Sequence, residues 1–149
     1  MAGTFVESQH LRALAWGIDG VGLVVAASLL TLKFFRKGAD CVAAGFLVFA
    51  IGEGIILSGA ASSLEASLPS FAAGVALWSA GLLLISVPAE FARWIRLTGI
   101  LGAVLFAFVA ERIFCGEQIL PTTSPLPFFA YPFLVLTFAG WIWTLLKEN

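Results

Sequence analysis

The stretch ASLPSFAAGVALWSAGLLLISVPA, residues 66–89, contains no charged residue. At a rise of 1.5 Å per residue, a helix needs about 20 apolar residues to cross a hydrocarbon core of roughly 30 Å. The stretch is therefore long enough to cross a membrane once. Two further charge-free runs follow it, residues 97–110 and 118–146. Together these runs indicate a chain that folds in a membrane rather than in water.

The composition supports this conclusion. Of the 149 residues, 60% are hydrophobic and 11% are charged, and the mean hydropathy is +1.02. A soluble domain normally carries about a quarter charged residues to cover its surface. The apolar content excludes a disordered tail, and a net charge of -1 without a basic stripe excludes a nucleic-acid-binding protein.

Five segments reach the length of a membrane span. No segment alternates apolar and polar residues as a membrane β-barrel requires, so each segment is predicted to be a helix. We therefore predict an all-α integral membrane protein, a bundle of five transmembrane helices that forms one domain over residues 1–149. The predicted spans are residues 13–32, 42–61, 71–89, 97–114 and 128–146.

The distribution of cations predicts the orientation of the bundle. With five spans, only Arg12 and Arg112 lie on one side of the membrane, and six cations lie on the other. Because basic residues accumulate on the cytoplasmic side, we predict that the N-terminus is outside and the C-terminus cytoplasmic, in a multi-pass protein of a bacterial inner (plasma) membrane. Trp94, Trp141 and Trp143 stand beside the cytoplasmic cations, where aromatic side chains commonly anchor helices at the interface. The six cations are Lys33, Arg36, Lys37, Arg93, Arg96 and Lys147.

The inventory of reactive side chains is small. The chain has one histidine, His10, and two cysteines, Cys41 and Cys115, which the predicted spans place on opposite sides of the membrane. This excludes a disulfide between them, a bis-His haem within one chain and a Cys/His metal cluster. Nucleophile and phosphate-binding motifs are also missing from the sequence. We expect no enzymatic activity, no catalytic residue, no metal and no cofactor.

Two acids lie inside the predicted spans. Asp19 and Glu53 are both about 9 to 12 Å below the predicted outer border, and glycines flank each of them closely. An ionisable group at such depth costs about 2.5 to 3.5 kcal/mol, so it usually faces the bundle interior and has a partner there. We therefore expect both acids to face inward.

Arg112 is the candidate partner for these acids. It could turn inward, which would gather Asp19, Glu53, Glu111 and Arg112 into one ion-binding or proton-binding cluster, or it could extend toward the lipid headgroups. Three carboxylates around one guanidinium would not all be ionised, which predicts proton or cation binding. The alternative is a structural hydrogen-bonded cluster that fixes the register of the helices.

Small residues at four-residue spacing predict faces for helix contacts. The first function hypothesis is therefore a non-enzymatic subunit that contacts membrane lipids and assembles with further copies of itself or with other membrane subunits, without a nucleic-acid partner. The second is a small proton-coupled or cation transporter that uses Asp19 and Glu53, and the third is a carboxylate-based lipid-modifying enzyme. The small-residue stripes are Ala15, Asp19, Gly22 and Ala26 in the first span and Ala50, Gly54 and Ser58 in the second.

Overall fold

The computed structural model describes residues 8–59, 63, 65–120 and 125–147. These residues form an all-helical bundle, and each of its five helices is long and apolar enough to cross a membrane. The predicted five-helix bundle is thus confirmed, whereas its insertion and its orientation stay predictions. The helices are α1 (Gln9–Arg36), α2 (Asp40–Gly59), α3 (Leu68–Ser86), α4 (Arg93–Phe114) and α5 (Pro125–Lys147).

Most helix borders differ from the predicted spans by one to four residues, and two of these differences have a clear physical cause. Helix α3 ends at Ser86 rather than at residue 89, because Pro88 has no N–H to donate to the preceding turn. Helix α4 begins at Arg93 rather than at residue 97. Hydropathy locates the apolar part of a helix, and the first turn of α4 is a basic extension of that part.

Hydrogen bonds from Arg96 connect the start of α4 to the end of α3. Its Nε donates to the Ser86 carbonyl at 2.8 Å, and its Nη2 donates to the Val87 carbonyl at 2.6 Å. Carbonyl groups at a helix C-terminus have no partner within the helix. The guanidinium supplies that partner and holds the short connection in place.

The helices run alternately up and down, and each packs against the next one along the chain. This order defines two ends of the bundle. At the basic end, α1, α3 and α5 finish while α2 and α4 begin, and this end carries Lys33, Arg36, Lys37, Arg93, Arg96 and Lys147. The opposite end carries Glu65, Glu111, Arg112 and Glu117.

Helices α2 and α3 touch through their backbones at paired glycines. A Cβ atom on Gly52 would lie 2.8 Å from the Gly74 carbonyl oxygen, and a Cβ on Gly81 would lie 2.8 Å from the Gly45 carbonyl oxygen. Each helix thus contributes two glycines seven residues apart, and each glycine faces its counterpart on the antiparallel neighbour. Such small residues allow the close helix packing that is typical of membrane bundles.

Hydrogen bonds between helices join α4 to both of its neighbours. The buried Ser79 hydroxyl of α3 donates to the Ala103 carbonyl of α4 at 2.8 Å. On the other side of α4, the hydroxyls of Thr98 and Thr137 lie 3.0 Å apart. Groups of this kind are worth roughly 0.6 kcal/mol each in a membrane bundle, so they set the register more than the stability.

Aromatic side chains fill the space between α2 and α5. The ring of Phe46 meets that of Trp141 at 4.9 Å between centroids, and the ring of Phe49 meets that of Phe138 at 5.6 Å. Phe91, in the connection after α3, packs against Trp141 at 6.2 Å and closes the basic end. Trp141 is therefore buried in the core, which corrects its prediction as an interface anchor, whereas Trp143 is exposed.

Helix α1 is the peripheral element. Among the described helices it packs against α2 alone, and Asp19, Gly22 and Ala26 are exposed along it. A Cβ atom on Gly22, or on Gly54 of α2, would meet no atom within 4 Å. The predicted small-residue stripes therefore do not form contacts between helices of this chain at these positions. Glycines at other positions in the same helices form the contacts instead.

Gly52 and Gly54, on either side of Glu53, provide a matched pair for testing this packing. Gly52→Ala forces a methyl group against the Gly74 backbone, and we expect a loss of about 1 to 3 kcal/mol in the free energy of unfolding. Gly54→Ala adds a methyl group in open space and should stabilise α2 by up to about 1 kcal/mol. Thermal unfolding in detergent measures both changes, and equal unfolding temperatures for the two variants would contradict the glycine contact.

Candidate functional site

Glu53 is the only one of the four predicted site residues with a buried side chain. Its exposed fraction is 5%, in the half of α2 that runs toward the opposite end. The preceding Gly52 faces α3, and the carboxyl group itself reaches the backbone of α1. Helices α1 and α3, which pack on either side of this part of α2, therefore enclose Glu53.

On the α1 side, the carboxyl group fills the space left by a glycine. A Cβ atom on Gly20 would lie 2.7 Å from Glu53 Oε1 and 2.5 Å from Leu57 Cδ2. We call this space the Gly20 notch. Because its walls are the α1 backbone and an apolar side chain, the notch gives the carboxyl oxygen a largely apolar environment.

On the α3 side, the Trp78 indole faces the same carboxyl group. Trp78 Nε1–H is close enough to act on Glu53 as a hydrogen-bond donor, yet no bond of standard geometry joins the two groups. Glu53 Oε2 and Trp78 Nε1 are both buried, and neither has a hydrogen-bond partner among the described residues. Buried polar atoms without partners are uncommon in proteins, and each calls for an explanation.

Aromatic residues of α4 and α5 complete the surroundings. Tyr131 of α5 lies within electrostatic reach of Glu53, and its ring packs edge to face on Phe106 at 5.9 Å. Phe106 in turn packs against Trp78 at 5.4 Å. Among the described side chains, no lysine, arginine or histidine forms an ion pair with Glu53.

Asp19 does not share this buried environment. It lies on the exposed surface of α1, one residue before the buried Gly20. The expectation that both acids face the interior therefore holds for Glu53 and is wrong for Asp19. The physical reason is the position of α1 at the edge of the bundle, where a single neighbouring helix covers only one face.

Glu111 and Arg112 lie at the exposed end of α4. The Arg112 guanidinium pairs with the Glu117 carboxylate and lies 5.7 Å from the Phe108 ring centroid. Arg112 thus turns toward its own helix end rather than inward to Glu53. The structure does not bring the four predicted residues together as one cluster, and their role in binding an ion or a proton stays a prediction.

A turn at the end of α4 explains this ion pair. Gly116 has a φ of +96°, a conformation that glycine adopts readily and that commonly ends helices. It places the Glu117 N–H 3.0 Å from the Arg112 carbonyl oxygen. Cys115 Sγ donates to Glu111 Oε1 at 3.4 Å, and this bond, with the nearby negative charge, raises the pKa of the Cys115 thiol.

Within the described part of the chain, no group of three or more His, Cys, Asp or Glu side chains could hold a metal ion. Among the described residues, Trp78 and Tyr131 are the polar side chains that interact with the enclosed carboxyl group. Metal-binding sites present oxygen, nitrogen or sulfur lone pairs to the ion, whereas an indole N–H has none to offer. A carboxyl group needs only one of its own oxygens to bind a proton.

Sequence reasoning missed the two residues that enclose Glu53, Gly20 and Trp78. A signal was present for the packing: glycines recur every seven residues at 45, 52 and 59 in α2, and at 74 and 81 in α3. An antiparallel pairing of these two series places Trp78 over the turn of α2 that holds Glu53. No comparable signal marks Gly20, because Gly17 and Gly22 are equally plausible contacts in the sequence.

Comparison with protein-family models, with curated proteins and with solved structures finds no match to this chain.

Proposed function

We propose that this protein is a five-span integral membrane protein that binds and releases a proton at Glu53, and that it acts as a small proton-coupled transporter. The observation that carries the proposal is the enclosure of Glu53, 5% exposed, with a carboxyl oxygen that has no hydrogen-bond partner among the described residues. The sequence indicates Asp19 and Glu53 as the candidate acids of a transporter, and the proposal keeps Glu53 alone.

The energetics of burial support a titrating group. A carboxylate inside a membrane span costs about 2.5 to 3.5 kcal/mol unless a partner offsets that cost, and no described cationic side chain pairs with Glu53. A protonated carboxyl group carries no net charge and avoids most of the penalty. Uptake and release of a proton therefore changes the electrostatics of the bundle interior at one defined position.

The donor set favours a proton over a metal cation. A hard cation such as Ca²⁺ takes six to eight oxygen ligands, and Mg²⁺ requires a near-octahedral set. In the described structure, Glu53 supplies two oxygens, and the Trp78 N–H beside them would repel a cation. A proton requires only one carboxyl oxygen, so the available groups are sufficient.

The packing also supports a direction for exchange. Toward the basic end, the space beside α2 is filled by the ring contacts of Phe49 with Phe138 and of Phe46 with Trp141, and Phe91 closes that end. Toward the opposite end, Glu53 is followed by Leu57 and then by the small residues Ser58 and Gly59. We propose that Glu53 exchanges its proton with the opposite end in this conformation.

Glu53→Gln tests the proton site, because the amide keeps the size of the carboxyl group but cannot titrate near neutral pH. In proteoliposomes with a trapped pH-sensitive dye, we expect an acid pulse to be transmitted by the parent protein and the rate to fall to that of protein-free liposomes in Glu53→Gln. Glu111→Gln is the matched control, since Glu111 is exposed at the end of α4, and it should keep the parent rate.

Two outcomes would overturn the proposal for Glu53. One is a parent rate that does not exceed that of protein-free liposomes. The other is a Glu53→Gln rate equal to that of the parent, above all if Asp19→Asn alone abolishes transmission. The second result would move the proton site to the exposed face of α1.

The orientation proposed with this function places the basic end in the cytoplasm, because six of the chain's eight Lys and Arg residues lie there. The two cysteines test it, since both are exposed free thiols and they lie at different ends. A membrane-impermeant maleimide added to intact cells should label Cys115 and leave Cys41 unlabelled until the cells are permeabilised. Mildly alkaline buffer offsets the raised pKa of the Cys115 thiol, and labelling of Cys41 alone in intact cells would reverse the orientation.

A second candidate function has its own support. Along α1, Asp19, Gly22 and Ala26 are exposed and form a face of small residues. Small residues let two membrane helices approach closely, and a partner there would cover the Asp19 carboxyl. A non-enzymatic subunit that assembles with a second copy through α1 is therefore the alternative.

Gly22→Phe tests this assembly, because the ring would occupy the space that a partner helix needs. Mass photometry in mild detergent should show an oligomer for the parent and a monomer for Gly22→Phe. Ala107→Phe, at an exposed position of α4, should leave the oligomer intact. A parent protein that is monomeric, with no copurifying subunit, would rule out this candidate.

The lipid-modifying enzyme receives no support from the geometry. That hypothesis needs two acids in one enclosed site, and among the described residues Glu53 is enclosed while Asp19 and Glu111 are exposed. A single buried carboxyl group can bind a proton, but it cannot divide the roles of general acid and general base with a second one. We therefore do not propose an enzymatic activity.

A further inference from the structure

We infer that the Glu53 carboxyl group has two resting positions, one in the Gly20 notch when it is protonated and one on the Trp78 N–H when it is ionised, so that Trp78 is a positioning residue for the proton site. The inference rests on the proton-binding function proposed above. The Gly20 notch would then stabilise the protonated state, and the Trp78 N–H the ionised state.

The first observation is the pair of buried polar atoms without partners. Glu53 Oε2 has no donor and Trp78 Nε1 has no acceptor among the described residues, although the two side chains lie close enough to interact. In the inferred ionised state, rotation of the glutamate side chain brings its carboxylate onto this N–H. Since a hydrogen bond to a charged acceptor is stronger than one to a neutral acceptor, the N–H stabilises the ionised form more than the protonated one.

The second observation is the Gly20 notch. Glu53 Oε1 occupies the position that a side chain on Gly20 would take, with Leu57 beside it. This apolar space offers nothing to an ionised oxygen, so it suits the neutral acid. The structure therefore shows the carboxyl group in the position of the protonated state.

Close contacts fix helix α2 and the Trp78 indole on either side of the Glu53 carboxyl group. Gly52 and Gly74 are in backbone contact, and a Cβ on Gly52 would lie 3.1 Å from Trp78 Cδ1. Trp78 also stacks on Phe49 at 5.3 Å, nearly parallel at 9°. Because α2 and the indole are fixed by these contacts, the glutamate side chain is the part that moves.

Among the described residues, few titratable groups lie around the carboxyl group. Helix α1 contributes Asp19, which is exposed beside the notch, and α5 contributes Tyr131. Helix α3 contributes Trp78, which does not titrate, and α4 packs the apolar Phe106 behind it. Among the described residues, the state of Glu53 is therefore set mainly by the notch and by the indole.

The two positions predict opposite effects for two substitutions. Dicyclohexylcarbodiimide, an apolar reagent that adds to protonated carboxyl groups, is applied to the full chain in detergent over a range of pH, and labelling of Glu53 is followed by mass spectrometry. Trp78→Phe removes the donor that holds the ionised form, so the midpoint of labelling should move up by about one to two pH units. Gly20→Ala fills the notch that holds the neutral form, so the midpoint should move down by about one unit.

Each substitution has a matched control. Trp141 Nε1 is also buried without a partner among the described residues, but it lies near the basic end, so Trp141→Phe should keep the parent midpoint. Gly22 has no atom within 4 Å of an added Cβ, so Gly22→Ala should also keep it. If loss of the indole unfolds the bundle, Gly20→Ala still tests the inference, because its methyl group meets only the ends of flexible side chains.

The outcomes separate this inference from the proposed function. If Glu53 of the parent is not labelled, or is labelled equally at every pH, both fail. If labelling depends on pH but Trp78→Phe behaves like Trp141→Phe, or Gly20→Ala shifts the midpoint in the same direction as Trp78→Phe, Glu53 remains a proton site and the two-position inference is overturned. Opposite shifts in the two variants, with both controls unchanged, support it.

Discussion

The backbone contact between α2 and α3 is the constraint on which the rest of the structure depends. At Gly45 with Gly81 and at Gly52 with Gly74, an added Cβ would lie 2.7 to 3.0 Å from backbone atoms of the other helix. In a membrane the apolar side chains gain little by leaving lipid, so close packing of this kind largely replaces the hydrophobic effect as the source of helix association. Because the two helices cannot shift along each other at these points, the residues beside the glycines have defined positions.

Glu53 owes its enclosure to this contact. Gly52 faces α3, so the next residue turns into the angle between α1 and α3, where Gly20 and Trp78 meet it. The aromatic rings between α2 and α5 fill the interior toward the basic end, from Phe49 and Phe138 to Trp141. The Glu53 side chain is thus placed at the end of a column of aromatic rings.

Helix α1, at the edge of the bundle, has two different faces. Its exposed face offers an acid and small residues to whatever lies outside this chain, while its buried face supplies the notch for Glu53. The two roles are compatible, since they use opposite sides of one helix.

The sequence by itself determined the helical class, the number of helices and the division of cations between the two ends. Span length and charge position are properties of the local sequence, so they can be seen without knowing how the helices pack. It also marked Asp19 and Glu53 alike as acids inside predicted spans, where an ionised side chain is costly. Only the tertiary structure decided that Glu53 is buried while Asp19 is exposed, that Arg112 pairs with Glu117, and that Trp141 lies in the core. Those facts depend on which face of each helix meets a neighbour. In a chain that is apolar on every face, the hydrophobic pattern carries almost no information about that choice, and the contacts between glycine backbones make it instead.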